Sequence, residues 1–190
     1  MKTTLRHIAL WLIASLATLC TNAKDFNVKT NIMGWAMTSI NAGVEMDLGA
    51  RNSLQLHGMI NPWNFAHDKR MHHWMVMPEL RFWTKYTFSG HFFGFHMVGG
   101  EYNLRNIDLP FGILPKLEEG RHYQGWLIGF GATYGYAWKI TERFTIEGAI
   151  GVGYVHSPFD LYGRCGRVLK SDHRNYLGPT KLAINFCYFL

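Results

Sequence analysis

Three sets of side chains in this 190-residue sequence could do chemistry. His156 and Ser157, with Asp160 close behind, supply an imidazole, a hydroxyl and a carboxylate. Those groups could transfer or hydrolyse an acyl chain on a lipid, although such sets are defined by geometry and not by closeness in sequence. His67, His72 and His73 could ligate a metal ion, but no cysteine or carboxylate stands at ligand spacing beside them, and a solvated polar loop accounts for them better. The third set is Glu45, Glu79, Arg81 and Glu147, four charges embedded in otherwise apolar or glycine-rich stretches. Brought together out of water, three carboxylates and a guanidinium would satisfy one another as a hydrogen-bonded network. A proton or solute path is the other use of such a set. No CxxC or Cys/His zinc pattern occurs, and no cofactor is called for.

What could position the third set is a series of strands, because the charges fall on one parity of alternating segments. Eight such segments can be read, at about 28–37, 41–48, 53–60, 73–82, 93–97, 125–138, 144–154 and 178–190. In the sixth, Trp126, Ile128, Phe130, Ala132, Tyr134, Tyr136 and Trp138 make one stripe, with glycine, alanine, threonine and leucine between them. The last segment alternates Leu182, Ile184, Phe186, Tyr188 and Leu190, the pattern of a closing strand of an outer-membrane barrel. Pro78 cannot donate to a ladder, so a bulge is expected there. Gly99-Gly100 is expected to break the fifth segment.

Connections after the second, fourth and sixth segments are short, and those after the third, fifth and seventh are long, as between periplasmic turns and surface loops. The three long connections carry half of the charges that follow residue 23. Lipid-facing Arg or Lys costs ~2–4 kcal/mol near the bilayer midplane, so the aromatic stripes should face lipid and the charged parity the interior. The expected fold is therefore all-β: an eight-stranded antiparallel transmembrane β-barrel of the small outer-membrane type. Its interior is wide enough only for side chains, which argues against a porin. A water-soluble lipocalin-like binding barrel has the same strand number but the opposite polarity.

Residues 1–23 read as a cleaved secretory signal peptide, with Lys2 and Arg6 before an apolar run and small residues ahead of the cut. The remaining 24–190 form one expected domain. It holds 17 Lys and Arg against 13 Asp and Glu, mildly basic and without a charge block suited to nucleic acid. Outer-membrane lipid and lipopolysaccharide phosphates are the expected counterparts, and a monomer the expected state. Cys165 and Cys187 remain, without spacing that indicates a pair.

Several segments also carry a family resemblance: Asn61-Pro62-Trp63, Pro78-Glu79-Leu80-Arg81-Phe82-Trp83, Gly90-His91-Phe92-Phe93-Gly94, Ile107-Asp108-Leu109-Pro110-Phe111-Gly112, Tyr123-Gln124-Gly125-Trp126 and Gly178-Pro179-Thr180-Lys181. Together they resemble the Bacteroidetes family known as domain of unknown function 3575, over nearly all of the chain after the leader. The resemblance implies an exported outer-membrane protein of Gram-negative bacteria, often encoded near fimbrial subunits, and supplies no activity and no functional residues. The motif from Ile107 to Gly112 would serve a surface or gating role, or cap the barrel rim with Leu109, Pro110 and Phe111. The function expected is non-enzymatic, structural or as an adhesion or fimbria accessory with a surface or fimbrial partner protein. The alternatives are a lipid A-modifying barrel enzyme built on His156, and the lipocalin-like carrier.

Overall fold

The computed structural model describes residues 26–107, 121–163 and 166–190; the leader therefore lies outside the described residues. Alternating apolar and polar side chains extend into nine strands: β1 (Phe26–Asn31), β2 (Ile40–Gly49), β3 (Asn52–Asn61), β4 (Asn64–Phe65), β5 (Lys69–Trp83), β6 (Gly90–Arg105), β7 (His122–Lys139), β8 (Phe144–Tyr162) and β9 (Val168–Phe189). One short helix, α1 (Ile32–Ala36), follows β1. All pairings are antiparallel. Because β1 pairs with β9 and β3 with β5, eight strands close into a ring, and the two-residue β4 is held on β5 alone. Closure covers the ladder edges where strands pair on both sides, although β9 meets β1 only over Asn185–Phe189.

The ring is polar inside and apolar outside. Among the described residues, 20 buried side chains are polar or charged and 13 apolar, the reverse of a water-soluble core. The stripe on β7 from Trp126 to Trp138 faces outward, as do Leu182, Ile184 and Phe186 on β9. At the end of the ring that carries the short turns, Trp83, Phe88, Phe92, Ala137, Ala149 and Ala183 form a small internal apolar plug.

Four local expectations are corrected. Residues 32–36 are helical and not the second half of a strand. The Asn31 side chain accepts the Met33 N–H at 3.0 Å, an N-cap, while Asn41 Oδ1 accepts the Asn31 N–H at 2.7 Å, so β1 stops after six residues. Pro78 causes no bulge: register is unchanged on both sides, and pairing simply skips Met77 and Pro78 on the β6 side. Register shifts instead fall between Asp47 and Gly49, between Leu161 and Tyr162, and beside another proline. Between Gly151 opposite Lys181 and Val152 opposite Pro179, Thr180 has no cross-strand partner. This extra residue shifts the parity of β9, so that Thr180 and Lys181 both reach the interior. Gly99-Gly100 does not break β6, which keeps its alternation to Arg105 and puts Glu101 outside.

The long connections are the fourth correction, being shorter than their composition suggests. β5 begins at Lys69, β8 runs to Tyr162 and β9 begins at Val168. At 22 residues, β9 far exceeds the ~9–11 that cross a bilayer, so strands β5 to β9 stand above the apolar band.

Candidate functional site

The side chains that β1, β2, β5, β8 and β9 turn inward at one level make a buried ion network, just above the apolar plug. Arg81 is its centre, fully buried. Its two terminal nitrogens donate to both carboxylate oxygens of Glu147 at 2.7 and 3.0 Å, a bidentate pair. The nitrogen bonded to Glu147 Oε2 also donates to Glu45 at 3.1 Å, and Nε donates to Glu79 at 3.1 Å. The guanidinium lies over the Phe92 ring, 4.3 Å from its centroid.

The structure brings Glu45, Glu79, Arg81 and Glu147 together, and adds two cations to them. Lys29 pairs with Glu45 and, at 3.1 Å, with Glu147, and Lys181 pairs with Glu79. Three carboxylates thus meet three cations, and the buried set is neutral. Asn185 donates to Glu147 at 2.7 Å, and Ser53 donates to Glu45 while accepting from Trp83 Nε1 at 2.8 Å. Lys29 and Lys181 are what four residues chosen for their parity left out. Their own parity was the available signal, since both stand on the polar side of their strands.

Glycines opposite the network make room for it. A Cβ on Gly94 would stand 2.3 Å from Glu79 Oε1, and those on Gly131 and Gly151 would stand 2.8 and 2.9 Å from the His96 ring. His96 uses that space to bond Thr133 at 2.8 Å and Thr180 at 2.9 Å. Gly94→Ala is therefore expected to lower stability by about 1–3 kcal/mol through overpacking. Gly99→Ala, whose Cβ would meet nothing closer than 3.9 Å, should stay within about 0.5 kcal/mol of the native protein. Urea unfolding in detergent measures both.

The other candidate sets do not assemble. His156 points outward and bonds Asn175 at 2.8 Å, whereas Ser157, the next residue, points inward and bonds Tyr102 at 2.7 Å. Asp160 accepts from Ser171 at 2.6 Å. Adjacent residues on a strand face opposite sides, which separates this histidine from this serine. His73 is buried at 3.4 Å from Ser39, His67 sits in a turn with φ 60°, and no group of three His, Cys, Asp or Glu side chains placed to hold a metal ion occurs among the described residues. Cys187 is a buried free thiol on the inner face, and Cys165 lies outside the described residues. Of the loop motif, Ile107 follows β6, while Asp108, Leu109, Pro110, Phe111 and Gly112 lie outside the described residues.

The charges of the network are matched to one another, while Glu79 Oε1 has no hydrogen-bond partner among the described residues. No curated protein and no solved structure matches the chain. The sequence profile of the family described as "Protein of unknown function (DUF3575)" matches residues 8–190, nearly the whole chain, and the chain belongs to that family.

Proposed function

We propose that the chain is a monomeric, non-enzymatic β-barrel that spans the bacterial outer membrane, closed to solutes by its own ion network. In this reading it serves the envelope as a structural or fimbria-accessory element. One observation carries the reading: the inverted polarity of the ring, with a matched set of six charges inside and an unbroken apolar face outside. A carrier dissolved in water would expose that face at the cost of aggregation. In a bilayer the same face meets acyl chains, and the ring of paired strands satisfies strand amides without water wherever its ladders are continuous. Trp74 and Trp126 near one border and Trp138 near the other supply interfacial aromatics.

Above this band the strand tops carry Arg70, Arg105, Asp160, Lys170 and Asp172, and Arg105 pairs with Asp68 at 3.0 Å. Those charges suit a surface that meets lipopolysaccharide phosphates or a partner protein.

The test is gel mobility of the exported protein, drawn from separated outer membranes, with and without boiling. The expected result is a membrane-fraction band that shifts on boiling, together with liposomes that stay impermeable to small sugars when the folded protein is inserted. A soluble periplasmic protein without a shift, or rapid sugar entry, would overturn the reading.

A further inference from the structure

Along the inner face of β5, starting from its turn end, Trp83 belongs to the apolar plug and Arg81 and Glu79 to the ion network. Beyond the network the interior changes character again. Met75, Met71 and Met59 line a cavity of about 300 Å³, together with Met37, Val98 and Leu127. On β6 its lining runs from Val98 to Leu104, about 20 Å of strand at ~3.3 Å per residue. A space of that length and volume is narrow, about one alkyl chain across. At roughly 30 Å³ for a water-sized group it holds about ten such groups in a row.

The polar atoms in the wall are already used. Ser157 Oγ lies 2.7 Å from the Tyr102 hydroxyl and donates to the Trp126 carbonyl at 3.1 Å. The second bond replaces one that Pro158, opposite Trp126, has no N–H to make. Thr180 and His96 bond each other at 2.9 Å. What faces the space is therefore mainly methyl, methylene and thioether surface, which favours an apolar occupant. Unbranched methionine side chains adapt to a flexible ligand. Arg174 completes the wall and gives it a cation.

The surrounding sheet is also least regular here. Strand pairing is interrupted beside Pro78, Pro158 and Pro179, and the residues facing these gaps, Val98, Leu127, Ser157 and Thr180, all line the cavity. The acyl layer outside is one strand thickness away.

We propose that this cavity binds a single medium-length alkyl chain bearing an acidic head, either a free fatty acid or one tail of a membrane phospholipid. The chain lies along the methionines, and its head is directed to Arg174. The binding is reversible and involves no bond making.

The test uses the full-length folded protein in phosphatidylcholine nanodiscs, with methionine methyls labelled for NMR and decanoic acid as the probe. Expected are saturable shifts of the Met59, Met71 and Met75 methyls at one acid per chain. Met97, on the outer face, reports simple partition into lipid and should drift without saturating. Native mass spectra taken before any acid is added distinguish the sources: an adduct with the mass of a free acid, or one with the mass of a phospholipid, each supports the site. Val98→Trp, which fills the cavity, should abolish the saturable shifts while the boiled and unboiled gel bands stay distinct. If only Met97 responds and no adduct is seen, the proposal is wrong, whether or not the variant folds.

Discussion

Arg81→Met is expected to destabilise the folded protein by about 3–5 kcal/mol, because it leaves carboxylates buried without their shared partner. Native Arg81 serves three acids at once: two bonds to Glu147, one to Glu45 and one to Glu79. With methionine there, Lys29 and Lys181 remain against three glutamates, and one negative charge is uncompensated in a site closed off from water. Arg81→Lys keeps the charge but not the planar fork, so it should recover only part of the loss. Arg81→Met with Glu147→Gln restores neutrality, and the double variant should be more stable than the two single losses added together, by roughly 0.5–3 kcal/mol. Urea midpoints of vesicle-inserted protein, read from the unboiled folded band, measure the native protein, the three single variants and the double variant. A loss below about 1 kcal/mol for Arg81→Met, on the scale of a solvated pair, would mean that water reaches the network and that the ring is a channel and not a plug.

That network was legible in part because each strand declares its faces locally. Glu45 among Val44 and Met46, or Glu147 beside Ile146, can be assigned a side by counting in twos. Which charges meet depends on the register between strands, and register belongs to no single segment. Lys181 shows the difference. Its parity within 181–190 is plain, but Thr180 shares the interior with it only because β9 gains a residue on β8 beside Pro179. The bulge expected at Pro78 is absent, because Pro78 fits a regular register with an interrupted ladder, and the bulge beside Pro179 had no counterpart in the reading of the sequence. The tall strand ends were illegible for another reason. In 168–175 both parities are exposed, so there is no alternation to count, and these residues are strand only because β8 offers its ladder to them. At 32–36 one capping asparagine outweighed a pattern that reads equally well as extended.

Ala132→Arg should cost about 2–4 kcal/mol in a bilayer, the depth-dependent cost of a cation on the lipid face of a barrel. Ala132 lies midway along the outward stripe of β7, six residues from both Trp126 and Trp138, with Phe95 and Val152 beside it on the neighbouring strands. Six residues of a strand tilted by ~40° rise about 15 Å, too far for a guanidinium to reach either headgroup layer without thinning the membrane. The substitution deletes nothing except a methyl group, so its cost is that of placing the charge. Leu169→Arg is the matched control, on the high extension of β9, half-exposed and above the apolar band. It should change stability by no more than about 0.5 kcal/mol. Both changes put an arginine at an exposed strand position, and a protein surrounded by water would tolerate them equally. Unequal urea midpoints in vesicles, with Ala132→Arg the lower, therefore require that the outer face is graded in polarity along the ring axis, which lipid imposes and water does not. Equal midpoints would put the whole outer face in water, and the inverted polarity of the ring would then need an apolar protein partner to cover it.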